Sequence, residues 1–429
     1  MERRKTSPIR CDVVVVGAGP AGLGALAALE ETGLTVLVVE SGPDLDERDA
    51  AVPEHRARGV GGAGLFSDGK FSFYPSASAL WRLHPAPALR QSYAAICAIL
   101  AERGLDSPAF PQETSTSVED EASHFRAKRY ESGYLSLEAR YALTRELATR
   151  LSGRTIRGAA TGITANGLGG LDVTVRTGIG EAVIQSKAVI YAAGRFGPLS
   201  CRMQVEGLST VYRRVEIGIR IEQPSETFFL RSDPAVDSKY LCSSEFAGIG
   251  WRTFCCCRDG KVVVTDFDEW RTLSGRADCP PTGLSNVGFN LRITSPDLGS
   301  DVWRAVTANV RGTRRVVQIP LVDVVNPGAA AANGGLAAMY GDKGADALVS
   351  GLRQLVHDFG PRQLRDAVVH GPCIEGVGSY IHVDDDLRAA GGAPIWFAGD
   401  SSGIFRGLTA ALVSGYYVGL RALTHLRAR

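Results

Sequence analysis

Gly17, Gly19 and Gly22 fall in a GxGxxG spacing directly behind four consecutive β-branched residues, Val13, Val14, Val15 and Val16. The first glycine permits a tight turn out of a strand, the second lets a pyrophosphate approach the backbone, and the third lets the following helix pack closely on the sheet. Pro20 and Ala21 sit inside the turn, and residues 23–31 read as a helix whose free N–H groups and positive dipole end face the phosphates. A second strand over 35–39 ends at Glu40, with Ser41 beside it. A carboxylate there can accept hydrogen bonds from the ribose hydroxyls of an adenosine. An acid at that place disfavours a 2′-phosphate, so the expected ligand is FAD or NAD rather than NADP. Glycine-rich turns are common, but here strand, turn, helix, strand and acid follow in order within one βαβ unit.

Three other stretches offer backbone to the same ligand. In GVGGAGLFSDGKFSF, residues 59–73, Gly61, Gly62, Ala63 and Gly64 leave N–H groups uncovered, a geometry suited to phosphate or a flat ring, or else to a hinge. The apolar strand 187–192 runs into Ala193 and Gly194. The strand 395–398 stops at Gly399 and Asp400, whose carboxylate can accept from a sugar or ribityl hydroxyl, and a last helix begins near Gly407, Leu408 and Thr409. Candidates for proton transfer or for a charge facing substrate are Arg406, Lys70 and His370, with Asp68, Tyr380 and His382 behind them. Cys255, Cys256 and Cys257 are consecutive and read either as a thiol site or as small buried hydrophobes. No His or Cys spacing fits a metal site, so none is expected.

The elements that must position these residues are an α/β array. A helix over 136–151 and a β-meander over 155–163, 171–176 and 182–185 follow the opening unit, with residues 74–133 inserted over it around an apolar helix at 89–103. Residues 198–369 are strand-rich. Val215, Ile217, Ile219 and Ile221 would share one face against Glu216, Gly218, Arg220 and Glu222, and helices near 301–311 and 345–359 can cover a side. The expected organisation is a Rossmann-like domain binding FAD or NAD, with a parallel sheet and β-meander, built from residues 1–73, 134–197 and 370–429, plus a mixed-sheet substrate domain at 198–369.

Bulk properties narrow the function. The 429 residues carry 47 basic against 46 acidic side chains, a net charge of +1, which argues against a nucleic-acid or anionic-membrane surface. No apolar run is long enough for a signal peptide or a bilayer span, so a cytoplasmic protein is expected. The nine cysteines are an odd number without a CxxC framework, as free thiols in a reducing compartment would be.

GAGPAGLG with Glu40, the KAVIYAAG strand and the FAGD strand leading into a glycine-started helix resemble the signatures of two-domain FAD oxidoreductases of the glutathione reductase superfamily. GVGGAGLFSDGKF and FAGDSSGIFRGLTAAL are similar to segments of bacterial uncharacterised FAD-dependent dehydrogenases, a group that often has Glu where this chain has Asp400. The resemblance implies that Gly17, Gly19 and Gly22 hold the pyrophosphate, Glu40 the adenosine ribose and Asp400 the ribityl side. Residues 61–64 and 407–409 would then border the flavin ring. The expected activity is an FAD-dependent oxidoreductase of dehydrogenase or reductase type on a small organic substrate, with NAD(P)H or another donor as electron source. A flavin monooxygenase using NAD(P)H and oxygen is the alternative, the turn Arg258, Asp259, Gly260 only mimicking the midchain DG motif of that class. A non-redox dinucleotide-binding protein with Cys373 as nucleophile is the third reading. No second GxGxxG follows Leu65.

Overall fold

The computed structural model describes residues 9–112, 124–151, 153–167, 169–243, 248–326 and 330–428. Most of the polar stretch PQETSTSVEDEAS at 111–123, whose composition reads as loop, lies outside them. The opening strand spans Ile9–Val16 and its last four valines are buried on both faces, as a central parallel strand requires. It pairs in parallel with Val36–Glu40 on one side and with Gly180–Tyr191 on the other. The strand Ile395–Phe397 adds in parallel to Gly180–Tyr191, and Ala159–Ala165 and Leu171–Thr177 complete the meander. Residues 182–185 and 187–192, expected as two strands, are one. Its first half pairs antiparallel with the meander and its second half parallel with the opening strand, so no break is needed between the two roles.

The helix after the glycine turn spans Pro20–Leu29, three residues earlier than expected, because Pro20 at its first position supplies a helical φ and needs no N–H. The last helix, Leu408–Arg427, packs across it. Gly24, Gly415 and Gly419 make the close approach possible: a Cβ at Gly415 would lie 1.9 Å from the Ala21 carbonyl oxygen, and one at Gly24 would lie 2.4 Å from that of Leu412. No helix among the described residues is long and apolar enough to cross a membrane.

The second sheet has seven strands in the order Val317–Pro320, Val368–Ile381, Thr210–Pro224, Leu284–Ile293, Ile249–Cys257, Tyr240–Ser243 and Arg126–Ala127. All its pairs are antiparallel, which corrects the expected mixed sheet. Its long pairs join strands distant in sequence, such as Thr210–Pro224 with Val368–Ile381, so no local pattern could fix their direction. The Val368–Ile381 strand belongs to this sheet over its full length, and the chain returns to the first sheet only at Ile395. In RRVVQIPLVDV only Val317–Pro320 is strand, and Leu321–Val325 is helical. Arg258 and Asp259 turn between strands of different sheets, since Lys261–Phe267 pairs with Trp270–Arg276, so the turn there closes no hairpin.

The alternation along Thr210–Pro224 is as the pattern required. Val215, Ile217, Ile219 and Ile221 face a core completed by Val287, Phe289 and Leu291 and by the helices Pro296–Val310 and Ala330–Phe359, the latter kinked at Gly341. The other face, with Glu216, Arg220, Asn286 and Asn290, turns toward the first sheet. These four side chains are buried although polar.

Candidate functional site

The glycine segments, remote in sequence, meet at the carboxyl edge of the first sheet. Gly17 adopts φ +100° and lies against residues 192–193: a Cβ there would sit 2.6 Å from the Ala192 carbonyl oxygen. A Cβ at Gly22 would be 1.9 Å from the Gly17 carbonyl oxygen, so only glycine lets the helix start this close to the turn. Gly61 donates its N–H to the Ala18 carbonyl at 2.8 Å. It opens a short turn, Gly62–Leu65, that packs on Gly19 and Pro20 on one side and on Leu408 on the other. Gly399 is wedged against Ala21 and Ala411. Ser41, Ala63 and Gly407 are exposed at this edge, and Ala193, Gly194, Pro20 and Leu408 are partly so.

Glu40 is buried at the tip of its strand. Its Oε2 accepts from the Ala18 N–H at 2.8 Å, and its Oε1 accepts from Gly42 and Gly59 at 2.8 and 3.1 Å. The carboxylate thus ties the glycine turn to the next loop and keeps an anionic acceptor at the corner. Two helix N-termini converge there, and both begin at a glycine with no side-chain cap, Gly19 and Gly407. Their N–H groups remain available to an anion. The Thr409 hydroxyl, in the first turn of the last helix, is buried without a hydrogen-bond partner. Glycine-lined cradle, uncapped N-termini, anchored acid and orphaned hydroxyl fit a dinucleotide of the FAD type. Such a group would supply the redox chemistry, the protein supplying placement and charge.

Arg406 precedes this helix and reaches the polar face of the second sheet. Its Nη1 lies 2.6 Å from Glu216 Oε2 and 3.4 Å from Glu375 Oε2. Arg195 bridges the same region, 2.8 Å from Glu375 and 3.7 Å from Asp400. Glu216 is the hub: Arg214 and Arg292 each approach its Oε1 to 2.9 Å, and Arg252 approaches its Oε2 to 3.3 Å. Burial alone would raise the Glu216 carboxyl, but the four guanidiniums outweigh it and hold the group well below the usual carboxylate range. Burial pushes the Asp400 carboxyl up, against the pull of Arg406 and Arg195. Burial and the neighbouring arginines lower Arg252 to about 10 despite Glu216.

The other candidates lie apart from this cluster. Lys70 donates to the Cys256 carbonyl and sits 3.1 Å from Asp68 and 3.7 Å from Asp237. Burial would lower it, but Asp68, Cys257 and Asp237 keep it protonated, which makes it a fixed cation rather than a proton shuttle. Asp68, Cys255 and Cys257 come together, with Cys255 Sγ 3.1 Å from Asp68 Oδ2 and 3.9 Å from Cys257 Sγ. Cys255 takes φ +48° at a break in the strand register, which turns both thiols toward Asp68. Sequence spacing could not show this group, because Asp68 arrives from a distant loop. His370 pairs across strands with Arg220, its Nε2 3.1 Å from Glu222, several residues along the sheet from Glu216. Tyr380 is buried with its hydroxyl accepting from the Val377 N–H, and His382 is exposed. Burial pushes the Cys373 thiol up to about 12 and its Sγ donates to the Leu273 carbonyl, which disarms it as a nucleophile. Sequence reasoning missed Arg195, Arg214, Arg252 and Arg292. Only Arg214 had a signal, at the start of the strand whose polar face carries Glu216; the others come from elements remote in sequence.

Residues 15–84 match the family described as an NAD(P)-binding Rossmann-like domain. An uncharacterised protein of Clostridium beijerinckii is 24% identical over 328 residues, 68% of this chain and 53% of that one. The chain therefore spans about half the length of the curated relative it matches. Among solved structures, a geranylgeranyl bacteriochlorophyll reductase-like protein from Thermoplasma acidophilum is similar with 12% identity, a TM-score of 0.41 and coverage of 98% and 80% of the two chains. A flavoprotein/dehydrogenase from Cytophaga hutchinsonii gives 14%, 0.39, 98% and 79%. The anhydrotetracycline hydroxylase OxyS from Streptomyces rimosus gives 12%, 0.40, 98% and 63%. At these TM-scores none of them bears on what this chain does.

Proposed function

We propose that this protein is an FAD-dependent oxidoreductase of dehydrogenase or reductase type, acting on a small organic substrate between the dinucleotide corner and the polar face of the second sheet. The convergence of the glycine segments on two uncapped helix N-termini beside Glu40 carries the reading. Gly17, Gly19 and Gly22 would hold the pyrophosphate, Glu40 the adenosine ribose and Asp400 the ribityl chain. The first turn of the last helix would favour negative charge on the bound ring. Arg406, adjoining that turn, is the candidate to face the ring or the substrate.

The test is to denature the purified protein, identify what is released, and reduce the intact protein anaerobically with NADH, NADPH and candidate substrates. Release of FAD with substrate-dependent bleaching supports the proposal, and a colourless protein carrying only an adenine nucleotide overturns it. NADPH-dependent bleaching in air with a hydroxylated product would move the assignment to a monooxygenase. Thr409→Val removes only the orphaned hydroxyl, so it should weaken FAD retention while leaving thermal stability unchanged or higher. Glu40→Ala should lower both, with FAD affinity falling about 10- to 100-fold for a lost charge-assisted hydrogen bond.

A further inference from the structure

Four arginines, Arg214, Arg252, Arg292 and Arg406, converge on the single buried carboxylate of Glu216. The next nearest acids, Glu375 and Asp400, are shared with a fifth arginine, Arg195. Lys128 and Lys239 feel this charge: burial together with Arg252 and Arg292 lowers both, Lys239 to about 7 although Asp237 pulls it up. Buried cations in excess of their anions are costly, and a purely structural network would be expected to balance them.

The same place holds buried donors that make no hydrogen bond. Asn290 is buried, and its Oδ1 accepts from Arg252 Nε at 3.1 Å while its Nδ2 has no partner. Arg406 Nε is likewise buried without a hydrogen bond, 4.0 Å from Asp400 Oδ2. Access is graded, since the Arg292 side chain is 35% exposed whereas Glu216 is 0% exposed, so the cluster opens at Arg292. Opposite Glu216 stands Gly376, where a Cβ would lie 3.0 Å from the Arg214 carbonyl oxygen, 3.1 Å from the Glu216 nitrogen and 3.3 Å from Arg406 Nη2, so a side chain there would crowd the cluster. Arg406 itself adjoins Gly407, the start of the last helix.

We propose that this arginine cluster is the recognition site for the carboxylate of an organic-acid substrate. The planar guanidinium fork matches a carboxylate in two parallel hydrogen bonds, and arginine keeps its charge when buried better than lysine does. The ligand's carboxylate would accept from Asn290 Nδ2 and the rim guanidiniums. The proposal gives the substrate class for the oxidoreductase read above and rests on that reading only for the redox half; the binding half stands without it.

Binding is measured by calorimetry on the full chain as purified, with succinate, lactate and benzoate, their neutral amides, and inorganic phosphate. At least one acid should bind about tenfold or more tightly than its amide and more tightly than phosphate, as loss of charge-assisted hydrogen bonds dictates. Arg292→Gln and Arg252→Lys should each weaken that acid by about tenfold or more with thermal unfolding retained. Acids no better than amides, phosphate preferred over every acid, or unchanged affinity in both folded variants would overturn the proposal. A protein that binds an acid but releases no flavin would keep this inference and sink the oxidoreductase reading, and one that releases FAD but binds no acid would do the reverse.

Discussion

At Glu216 one carboxylate neutralises part of the charge of four guanidiniums, so its value lies in what would be left behind without it. Glu216→Gln keeps the shape and removes the charge, leaving Arg214, Arg252, Arg292 and Arg406 facing one another. The expected loss is about 3–5 kcal/mol, the cost of breaking a buried pair from one side, read from guanidinium chloride denaturation. The pH dependence follows with a definite sign. The folded carboxyl titrates well below its ordinary value of 4.5, so the unfolded chain binds more protons in between. The stabilisation is complete above that ordinary value and is lost as pH falls through the lower folded one. Denaturation midpoints measured downward from neutrality should therefore drop below about pH 4.5 in the wild type, and this component should be missing in Glu216→Gln.

At the scale of elements, the crossing of Pro20–Leu29 with Leu408–Arg427 fixes the corner, because each helix brings its N-terminus to it. Gly415→Ala would place a methyl 1.9 Å from the Ala21 carbonyl oxygen, and backbone cannot yield as a side chain can. About 1–3 kcal/mol of stability should be lost by overpacking, and FAD content should fall because the last helix must shift its first turn. Gly162→Ala is the control: its Cβ meets nothing closer than 3.7 Å, so the change should stay within about 0.5 kcal/mol. The strand, turn and helix of this corner were legible in the sequence because they are contiguous, as was the two-faced pattern of Val215 to Glu222. The antiparallel second sheet was not, since pairings such as that of Ile217 with Ile374 join residues far apart and leave no local periodicity. Nor was the arginine cluster: Arg406 meets Glu216 across 190 positions of chain, and each arginine alone reads as a surface charge.

Across the whole molecule two hydrophobic cores stand apart, one around the parallel strands and one between the antiparallel sheet and its helices. Cationic side chains from the first unit bridge them. Arg195 donates to the Ile374 carbonyl at 2.7 Å and pairs with Glu375, Arg406 pairs with Glu216, Lys70 donates to the Cys256 carbonyl, Arg56 donates to the Val264 carbonyl, and Arg140 pairs with Asp278. Contacts of this kind nearly break even against desolvation, so the cores should be coupled less strongly to each other than each is within itself. Every residue proposed to hold FAD belongs to the first core or its edge. FAD should therefore stabilise that unit by mass action, by about 2.7 kcal/mol at a free concentration a hundred times its Kd, and leave the other nearly unmoved. The five tryptophans divide usefully: Trp81 and Trp396 lie in the first core, and Trp251, Trp270 and Trp303 lie in or against the second. In a Trp81→Phe, Trp396→Phe protein, fluorescence reports the second core while calorimetry reports both. Added FAD should raise one calorimetric transition and not the fluorescence midpoint, whereas a single transition moving with both probes would show that the bridging cations bind the two cores into one cooperative unit.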